Sequence, residues 1–330
     1  MTFRPDSIAI RVSDESGVGQ ARRAARVAAE DLGFDDVAAE EVAIVATEAS
    51  RNMVRHGGGG ELVVTPAGGG VSLDILALDR GPGIPDLARA MRDGYSTRGT
   101  AGQGLGAISR AASVLDVYTL RGKGTAVLAR LGNGPGGGLE VGAVCVPVAS
   151  ETECGDSWAI ETWAGRSVIL VADGIGHGHH AAEAARTAVI SFRRHAALPA
   201  GRAVEHLHAA LRATRGAAVG IAELIDHDAV RYCGIGNVSG VLLGRGKMKK
   251  MVSLAGTAGH EVRSIRTFEY EWPDEGLLIM HSDGVATHWD LAEYPGLSSR
   301  HPALIAGVLY RDFARARDDA TVVVVRRATA

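Results

Sequence analysis

Cysteines, aromatic residues and long apolar runs are all scarce in this chain of 330 residues. Its three cysteines form no CxxC pair, which excludes a disulfide scaffold and a zinc ribbon and is typical of reduced thiols. No apolar run approaches the ~18 residues of a membrane span, and the N-terminus lacks the apolar core of a signal peptide. We therefore expect a cytoplasmic protein that makes no use of a membrane.

An excess of charge of either sign is also missing. The 35 basic and 38 acidic residues leave a net charge of −3, which argues against nucleic acid as a partner. Aromatic residues make up 5% of the chain, whereas its 44 glycines are nearly twice the usual ~7% share. Abundant glycine and few aromatic residues favour tight turns, and ligand sites formed by backbone groups, over sites formed by aromatic side chains.

A glycine-rich stretch at 132–138 divides the chain and predicts a flexible linker between domains 1–131 and 139–330. Mixed helix and strand patterns on both sides indicate an α/β (α+β) fold in two domains. Helices are predicted at 18–32, from 35 or 36 to 56, after 85, and at 105–114, 180–196 and 203–215. Strands are predicted at 61–65, 71–78, 117–120, 125–131, 141–148, 157–163, 167–172, 218–225, 230–234, 238–243, 277–282 and 321–326.

Three motifs in the first domain are consistent with a nucleotide site. Glu48 and Asn52 are four residues apart and share one helix face, where a carboxylate can act as a base and an amide oxygen can hold Mg²⁺. Asp79 follows an apolar strand and precedes Gly81 and Gly83, as in a loop that reads a base. The residues of a GxGxG motif, at Gly102, Gly104 and Gly106, open a predicted helix whose N-terminus suits phosphate.

In this order the three motifs resemble the GHKL ATPase superfamily, with its Bergerat α/β sandwich. The stretch from Asp79 through 93–97 to Gly106 is most similar to the anti-sigma-factor serine kinases of the RsbT type. The resemblance implies that ATP and Mg²⁺ bind here, with Glu48 as base, Asn52 as Mg²⁺ ligand and Asp79 reading adenine. The five glycines would shape the pocket, and Thr125 matches the family's late Gly-Thr element.

The first domain has two other interpretations. Sensor histidine kinases share the ATP-binding fold but need a phosphoacceptor helix, and no histidine precedes Glu48. A domain that binds ATP without using it stays open, because Arg98 and Gln103 make the predicted lid less glycine-rich than in the switch kinases.

In the second domain, aspartates recur beside strands. Asp156 opens one strand, Asp173 and Asp283 end two others, and the pair Asp318-Asp319 begins the last. Carboxylates without a matching set of cysteines or histidines favour hard cations such as Mg²⁺ and Mn²⁺. Two such cations can activate water and clamp a phosphoryl oxygen.

This arrangement resembles the metal-dependent protein phosphatases of the PPM (phosphatase 2C) type, in particular their SpoIIE and RsbX branch, whose AlaAspGlyxGlyHisGly signature stands at 172–178. The resemblance implies a β-sandwich flanked by helices that holds two Mn²⁺ or Mg²⁺ ions. The implied ligands are Asp156, Asp173, the Gly174 carbonyl, Asp283, and Asp318 or Asp319. It also implies hydrolysis of phosphoserine or phosphothreonine without a covalent enzyme intermediate.

His177, His179 and His180 suggest zinc at first sight, but they are too close together for a tetrahedral site without outside partners. A contact from His177 to the phosphate or to a proton is the favoured interpretation.

The two resemblances together predict a bifunctional regulator: a serine/threonine kinase joined to the phosphatase that reverses it. By analogy with separate proteins of partner-switching pathways, the expected substrate is a STAS-domain protein, with a sigma-factor regulatory complex as a further partner. In the alternative, the first domain only binds such a partner in an ATP-dependent manner and the phosphatase is the sole catalyst. Regulation of the phosphatase through the linker is a third possibility.

Overall fold

The computed structural model describes residues 6–90, 104–132, 138–163, 165–225, 229–244, 246–273 and 275–328. By their contacts these residues form two compact units. Met1–Gly137 and Glu293–Arg311 make up the first, and Gly138–Ala292 and Asp312–Ala330 the second. The predicted linker at 132–138 lies almost wholly outside the described residues, so the boundaries at 131 and 139 stay a prediction. Within the described ranges, every helix is too short or too polar to cross a bilayer.

The first unit is an antiparallel sheet with helices packed on it. Its elements are β1 (Ile8–Val12), α1 (Glu15–Asp31), α2 (Asp36–Asn52), β2 (Gly60–Ala67), β3 (Ser72–Asp79), α3 (Leu87–Ala90), α4 (Gly104–Ala111), β4 (Val114–Leu120) and β5 (Gly124–Gly132). The strand order is β1-β2-β3-β5-β4. Apolar side chains of α1, α2 and α4 meet one face of this sheet in a single core.

Local chemistry sets where the two long helices of this unit begin. The Asp14 carboxylate accepts hydrogen bonds from the amides of Ser16 and Gly17, and the Asp35 carboxylate accepts one from Ala38. The second helix was predicted to reach His56, but α2 ends at Asn52 and one π-helical turn, Met53–Gly57, follows it. The helix predicted at 105–114 ends at Ala111, because residues from Val114 onward pair with β5.

A buried ion pair joins β3 to β5. Asp74 and Arg130 are opposite each other in the register, and the guanidinium donates to both carboxylate oxygens, at 2.6 and 2.7 Å. Burial raises the pKa of Asp74, and Arg130 opposes that rise. Arg130 therefore offsets part of the cost of burying the Asp74 carboxylate.

Arg130→Met is expected to destabilise the first unit by about 3 kcal/mol at neutral pH, because it leaves Asp74 buried without a counter-charge. With its folded-state pKa raised further, Asp74 favours folding while protonated and opposes it once pH rises through that pKa. The loss should therefore be larger at pH 8 than at pH 5 in urea denaturation. Equal losses at the two pH values would contradict this account, and Arg23→Met, at an exposed position of α1, is a control that should change stability little at either pH.

The second unit is a two-sheet sandwich. Its elements are β6 (Leu139–Val146), β7 (Asp156–Trp163), β8 (Arg166–Gly174), α5 (His179–His195), α6 (Ala200–Ala210), β9 (Ala217–Ile225), β10 (Ala229–Ile235), β11 (Ser239–Gly244), β12 (Lys247–Lys250), β13 (Ser253–Leu254), β14 (Phe268–Glu271), β15 (Leu277–His281) and β16 (Ala320–Arg327). One sheet has the order β13-β10-β9-β8-β7, with β14 paired to β10, and the other has the order β12-β11-β15-β16-β6.

Apolar residues of the two sheets, among them Ile169 and Tyr232 of one and Met280 and Val323 of the other, share one core. On the outer face of the first sheet, α5 and α6 pack against β8 and β9 in a second core. The strands do not close into a barrel. The predicted two-domain α/β fold, with its helix-flanked sandwich, is therefore confirmed.

Between β15 and β16 lies a helix that the sequence patterns did not predict, α7 (Pro302–Phe313). Its first ten residues are all buried, so it has no polar face and no helical alternation of apolar and polar positions. The short strands β1, β12, β13 and β14 were missed as well, because they have too few residues for a clear period.

Candidate functional site

Glu48 and Asn52 lie in the last two turns of α2, as predicted, and both side chains are half-buried. Positions four apart face the same side of a helix, so the carboxylate and the amide point in one direction. The Arg51 guanidinium lies 3.5 Å from the Glu48 carboxylate. A base at this position therefore has a cation beside it.

The π-helical turn after Asn52 lies directly against Asp79. A methyl group on Gly57 would be 2.6 Å from Asp79 Cβ, and one on Gly81 would be 2.6 Å from Gly57 Cα. No side chain fits in either place. π-Helical turns are frequent at functional sites, and this one brings the end of α2 to the loop that follows β3.

The Asp79 carboxylate is held by two backbone amides of the first unit. Its Oδ1 accepts hydrogen bonds from Gly81 at 2.8 Å and from Thr125 at 3.1 Å. Burial raises the pKa of Asp79, and these two amides oppose the rise. Asp79, Gly81 and Thr125 thus form one hydrogen-bonded group. Gly83, with φ of +82°, lies against the backbone of Leu120 in the same unit.

Arg311, which also belongs to the first unit, donates hydrogen bonds to the backbone of this group. Its Nη1 donates to the carbonyl oxygens of Asp79 at 2.9 Å and of Thr125 at 3.4 Å. The arginine is 8% exposed. It stands 232 positions after Asp79, and no pattern in the sequence links the two.

Gly104 and Gly106 lie in the first turn of α4, as predicted. Gly102 lies outside the described residues. The same holds for the segment 93–97 and for Arg98 and Gln103, on which the question of the lid depends. The phosphate end of the nucleotide site therefore stays a prediction.

Four predicted metal ligands come together at one end of the sandwich in the second unit. Asp156 opens β7 and its Cα is opposite that of Asp173, near the end of β8. Asp173 accepts a hydrogen bond from the backbone of Asp283, and the Asp318 carboxyl group contacts that of Asp283. Residues far apart in sequence thus bring four carboxyl groups into mutual electrostatic contact.

Burial and repulsion from neighbouring carboxylates raise the pKa values of Asp156, Asp173 and Asp318. Burial is the largest cause for Asp173, whose pKa rises to about 9, and Asp156, Asp283 and Asp318 add to it. Burial, Asp319 and Asp318 raise the pKa of Asp156 to about 7. Burial and the neighbouring Asp283 also raise that of Asp318. Ionising several neighbouring carboxyl groups in this buried region is unfavourable, and a bound cation would offset that free-energy cost.

The residues at this position fit hard divalent cations. One oxygen of Asp156, Oδ2, is buried and has no hydrogen-bond partner among the described residues. The donors are all oxygens, the type that Mg²⁺ and Mn²⁺ prefer. Yet within the described ranges no three acidic, histidine or cysteine side chains already stand in ligand geometry.

Gly174, the predicted carbonyl ligand, packs closely against the first turn of α5. Its amide donates to the Gly155 carbonyl at 2.9 Å, and a methyl group on it would lie 2.2 Å from the Ala181 carbonyl oxygen. Only glycine fits there, which accounts for an Asp-Gly pair at this strand end.

The adjacent aspartates Asp318 and Asp319 have different surroundings. Asp319 is buried, and its two oxygens accept hydrogen bonds from the amides of Val148 at 2.7 Å and Gly155 at 2.9 Å. Asp318 instead contacts Asp283. Asp319 therefore holds both ends of the loop between β6 and β7, which leads into Asp156, whereas Asp318 faces the other carboxylates.

Asn substitutions should separate these roles. Asp319→Asn is expected to lower the free energy of unfolding by about 1–3 kcal/mol, because a buried amide loses the carboxylate that accepts its hydrogen bond. Asp318→Asn should leave stability within ~0.5 kcal/mol and lower Mn²⁺ affinity at least tenfold. Calorimetry and Mn²⁺ titration measure the two effects, and the reverse pattern would exchange the two assignments.

The three histidines after Asp173 pair with three different carboxylates. His177 contacts Glu151 at 2.8 Å, His179 contacts Glu153 at 3.2 Å, and His180 lies 3.7 Å from Glu183. The three imidazoles therefore do not share a common partner. Glu151 was not identified from the sequence, because it belongs to no motif.

Two family models account for most of the chain. Residues 11–131 match the histidine kinase-like ATPase domain, and residues 164–328 match stage II sporulation protein E (SpoIIE). The second match spans half of the chain, which therefore belongs to the SpoIIE family. The chain thus joins a kinase-like ATPase domain to a PPM-type phosphatase domain, and the predicted fusion is confirmed.

Individual relatives agree with both halves. The serine/threonine-protein kinase RsbT of Bacillus subtilis (strain 168) is 32% identical over 126 residues, which are 38% of this chain and 95% of RsbT. A solved structure from work on the bacterial stressosome, as a modular system adapted to control secondary messenger signalling, is 25% identical. It covers 57% of this chain and 99% of its own, with a TM-score of 0.53.

A structure of RsbX in complex with magnesium covers 65% of this chain and 100% of its own at a TM-score of 0.50. At 18% identity, that likeness shows the fold alone.

Proposed function

We propose that the protein is a bifunctional partner-switching regulator, which phosphorylates serine or threonine on a STAS-domain protein and also removes that phosphate. The observation that carries the proposal is the presence, in one SpoIIE-family chain, of the clustered carboxylates of a phosphatase together with the Glu48, Asn52 and Asp79 motifs of an RsbT-like domain. The STAS substrate is inferred from partner-switching relatives, and a sigma-factor regulatory complex is a further proposed partner.

In the phosphatase unit, Asp156, Asp173, Asp283, Asp318 and the Gly174 carbonyl would hold two Mn²⁺ or Mg²⁺ ions. Such ions supply a nucleophilic water and neutralise charge on the phosphoryl oxygens. The chain itself supplies the acidic ligands, the buried Asp319 that fixes their loops, and a glycine backbone that lets these loops approach each other.

In the ATPase unit, Asp79 would accept a hydrogen bond from the adenine amino group, held in place by the amides of Gly81 and Thr125. Asn52 would hold Mg²⁺, and Glu48 would take the proton of the substrate hydroxyl. The glycines at 83, 102, 104 and 106 would shape the adenine and phosphate ends of the pocket.

One observation favours the alternative, in which the first unit only binds ATP and its partner. The Arg51 guanidinium lies 3.5 Å from the Glu48 carboxylate, and this ion pair would compete with a substrate hydroxyl for the carboxylate oxygens. In that case the phosphatase would be the sole catalyst.

A paired transfer assay tests both functions. Candidate STAS-domain proteins from the same genome are mixed with the full chain and Mg-ATP, resolved on a phosphate-affinity gel, and then given Mn²⁺. Phosphate that appears and is later removed supports bifunctionality on that target. If a pre-phosphorylated STAS protein loses phosphate but none is ever added, the alternative holds. If neither reaction occurs on any STAS protein, the proposed substrate is wrong.

A further inference from the structure

A cavity of about 210 Å³ lies within the second unit, beside the carboxylates. Val238, Met248, Met251 and Trp289 give it apolar walls, and Lys250 also lines it. Pockets for whole small molecules are commonly ~300–1,000 Å³. This cavity is smaller, and its size suits one apolar side chain rather than a metabolite.

The cavity is directly connected to the proposed catalytic group. Asn237 lines it, and the Asn237 side-chain amide donates a hydrogen bond to Oδ2 of Asp283. His281, two residues before Asp283, lines it as well and accepts a hydrogen bond from Trp289 at 3.3 Å. A group bound in the cavity therefore lies next to any group bound at Asp283.

The distribution of lysine adds a charge to this surface. The chain has four lysines, and three of them lie in the edge strand β12, whose residues are all exposed. Lysine on an edge strand discourages pairing with other chains, which accounts for the exposure of all three. Protection of an edge strand does not explain the direction in which each lysine side chain points.

Alternate residues of a strand face opposite sides, and β12 separates its residues accordingly. Met248 and Lys250 line the cavity, whereas Lys249 lies on the other side with its ammonium 5.2 Å from the centre of the Tyr270 ring. The wall of the cavity thus combines a flexible apolar side chain with one positive charge. A partner segment that fits it carries an apolar residue close to an acidic one.

We propose that this cavity is a recognition pocket for the phosphoprotein substrate, occupied by an apolar side chain that flanks the phosphorylated serine, while Lys250 pairs with an acidic residue beside it. The proposal rests on the proposed phosphatase function and deepens it. It makes Met248 and Lys250 determinants of specificity that act on the substrate rather than on the chemistry.

Synthetic phosphoserine peptides test the pocket on the full chain with Mn²⁺. One peptide carries leucine and glutamate next to phosphoserine, a second has alanine in place of leucine, and a third has glutamine in place of glutamate. Lys250→Glu should lower the ratio of kcat/KM between the glutamate and glutamine peptides roughly 5–30-fold. Met248→Trp, which fills the cavity, should lower the leucine-to-alanine ratio at least threefold.

Lys249→Glu is the matched control, since it makes the same charge change on the other side of the strand, and it should leave both ratios within twofold. Because each ratio compares two substrates of one preparation, a partly unfolded variant does not alter it. If Lys249→Glu and Lys250→Glu change the ratios equally, or if neither does, the pocket proposal is overturned. If the wild-type chain hydrolyses none of the peptides, nor p-nitrophenyl phosphate, the phosphatase function fails and the pocket with it.

Discussion

Replacing Asp173 by asparagine is expected to lower the Mn²⁺-dependent hydrolysis of phosphoserine about 10²–10³-fold, the usual effect of losing one electrostatic stabiliser. Asp173 lies opposite Asp156 in the sheet, and it experiences the charges of Asp283 and Asp318 as well. The substitution keeps the size of the side chain but replaces a carboxylate by an amide, a poorer ligand for a hard cation. Steady-state kinetics over a range of Mn²⁺ concentrations would measure the loss.

Two controls separate lost chemistry from lost structure. Asp290→Asn makes the same change at an exposed aspartate of the same unit and should retain wild-type turnover. Without metal, Asp173→Asn should unfold no more easily than the wild type, because the neutral amide removes the cost of burying an ionisable carboxyl group. Added Mn²⁺ at about 100 times its Kd should raise the melting temperature of the wild type by roughly 5–10 °C and that of the variant far less. Near-normal turnover by the variant would reject Asp173 as a metal ligand.

Glu48→Gln is expected to reduce phosphoryl transfer to the protein substrate by about 10²–10⁴-fold while the Kd for ATP stays within about threefold. A general base typically contributes that much to the rate, and glutamine keeps the shape of the side chain without its basicity. Transfer is followed with radiolabelled ATP and binding by calorimetry, so that chemistry and affinity are measured separately.

Glu41→Gln, at an exposed position of the same helix, is the matched control and should change neither quantity. Retention of transfer by Glu48→Gln would remove Glu48 from the role of base. A wild-type chain that binds ATP and a STAS protein but never transfers phosphate would instead establish the first unit as a binding module. That result would also explain why an arginine is tolerated beside Glu48.

Features that depend on neighbouring residues were predictable from the sequence. The capping aspartate before α2, the strand ahead of Asp79 and the aspartates at strand ends are all local patterns, in which a side chain and its backbone lie within a few residues. Motif order then indicated two enzyme families without any knowledge of the register. Local chemistry alone was enough for the main architecture of both units.

Features that depend on long-range pairing were not predictable. The contact of Arg311 with Asp79 and that of Asn237 with Asp283 join residues with no shared motif. The difference between Asp318 and Asp319 depends on the amides of Val148 and Gly155, in a loop far away in sequence, which face the two oxygens of Asp319. Because α7 is buried on every side, its sequence lacks the alternation of apolar and polar residues by which a surface helix is recognised. In each case tertiary structure decides what the residue does.

The three cysteines are all buried, which makes the wild-type chain well suited to site-specific labelling. Contact with Cys145 and burial raise the pKa of the Cys154 thiol well above its usual range, and burial raises that of Cys233 to about 11. The thiolate is the form that reacts with maleimides and iodoacetamides, so Cys154 and Cys233 react slowly at neutral pH. A single cysteine introduced at Val252, which is 44% exposed and next to Met251, would take up a fluorophore with little background. Its emission would then report in real time when a substrate segment enters the cavity.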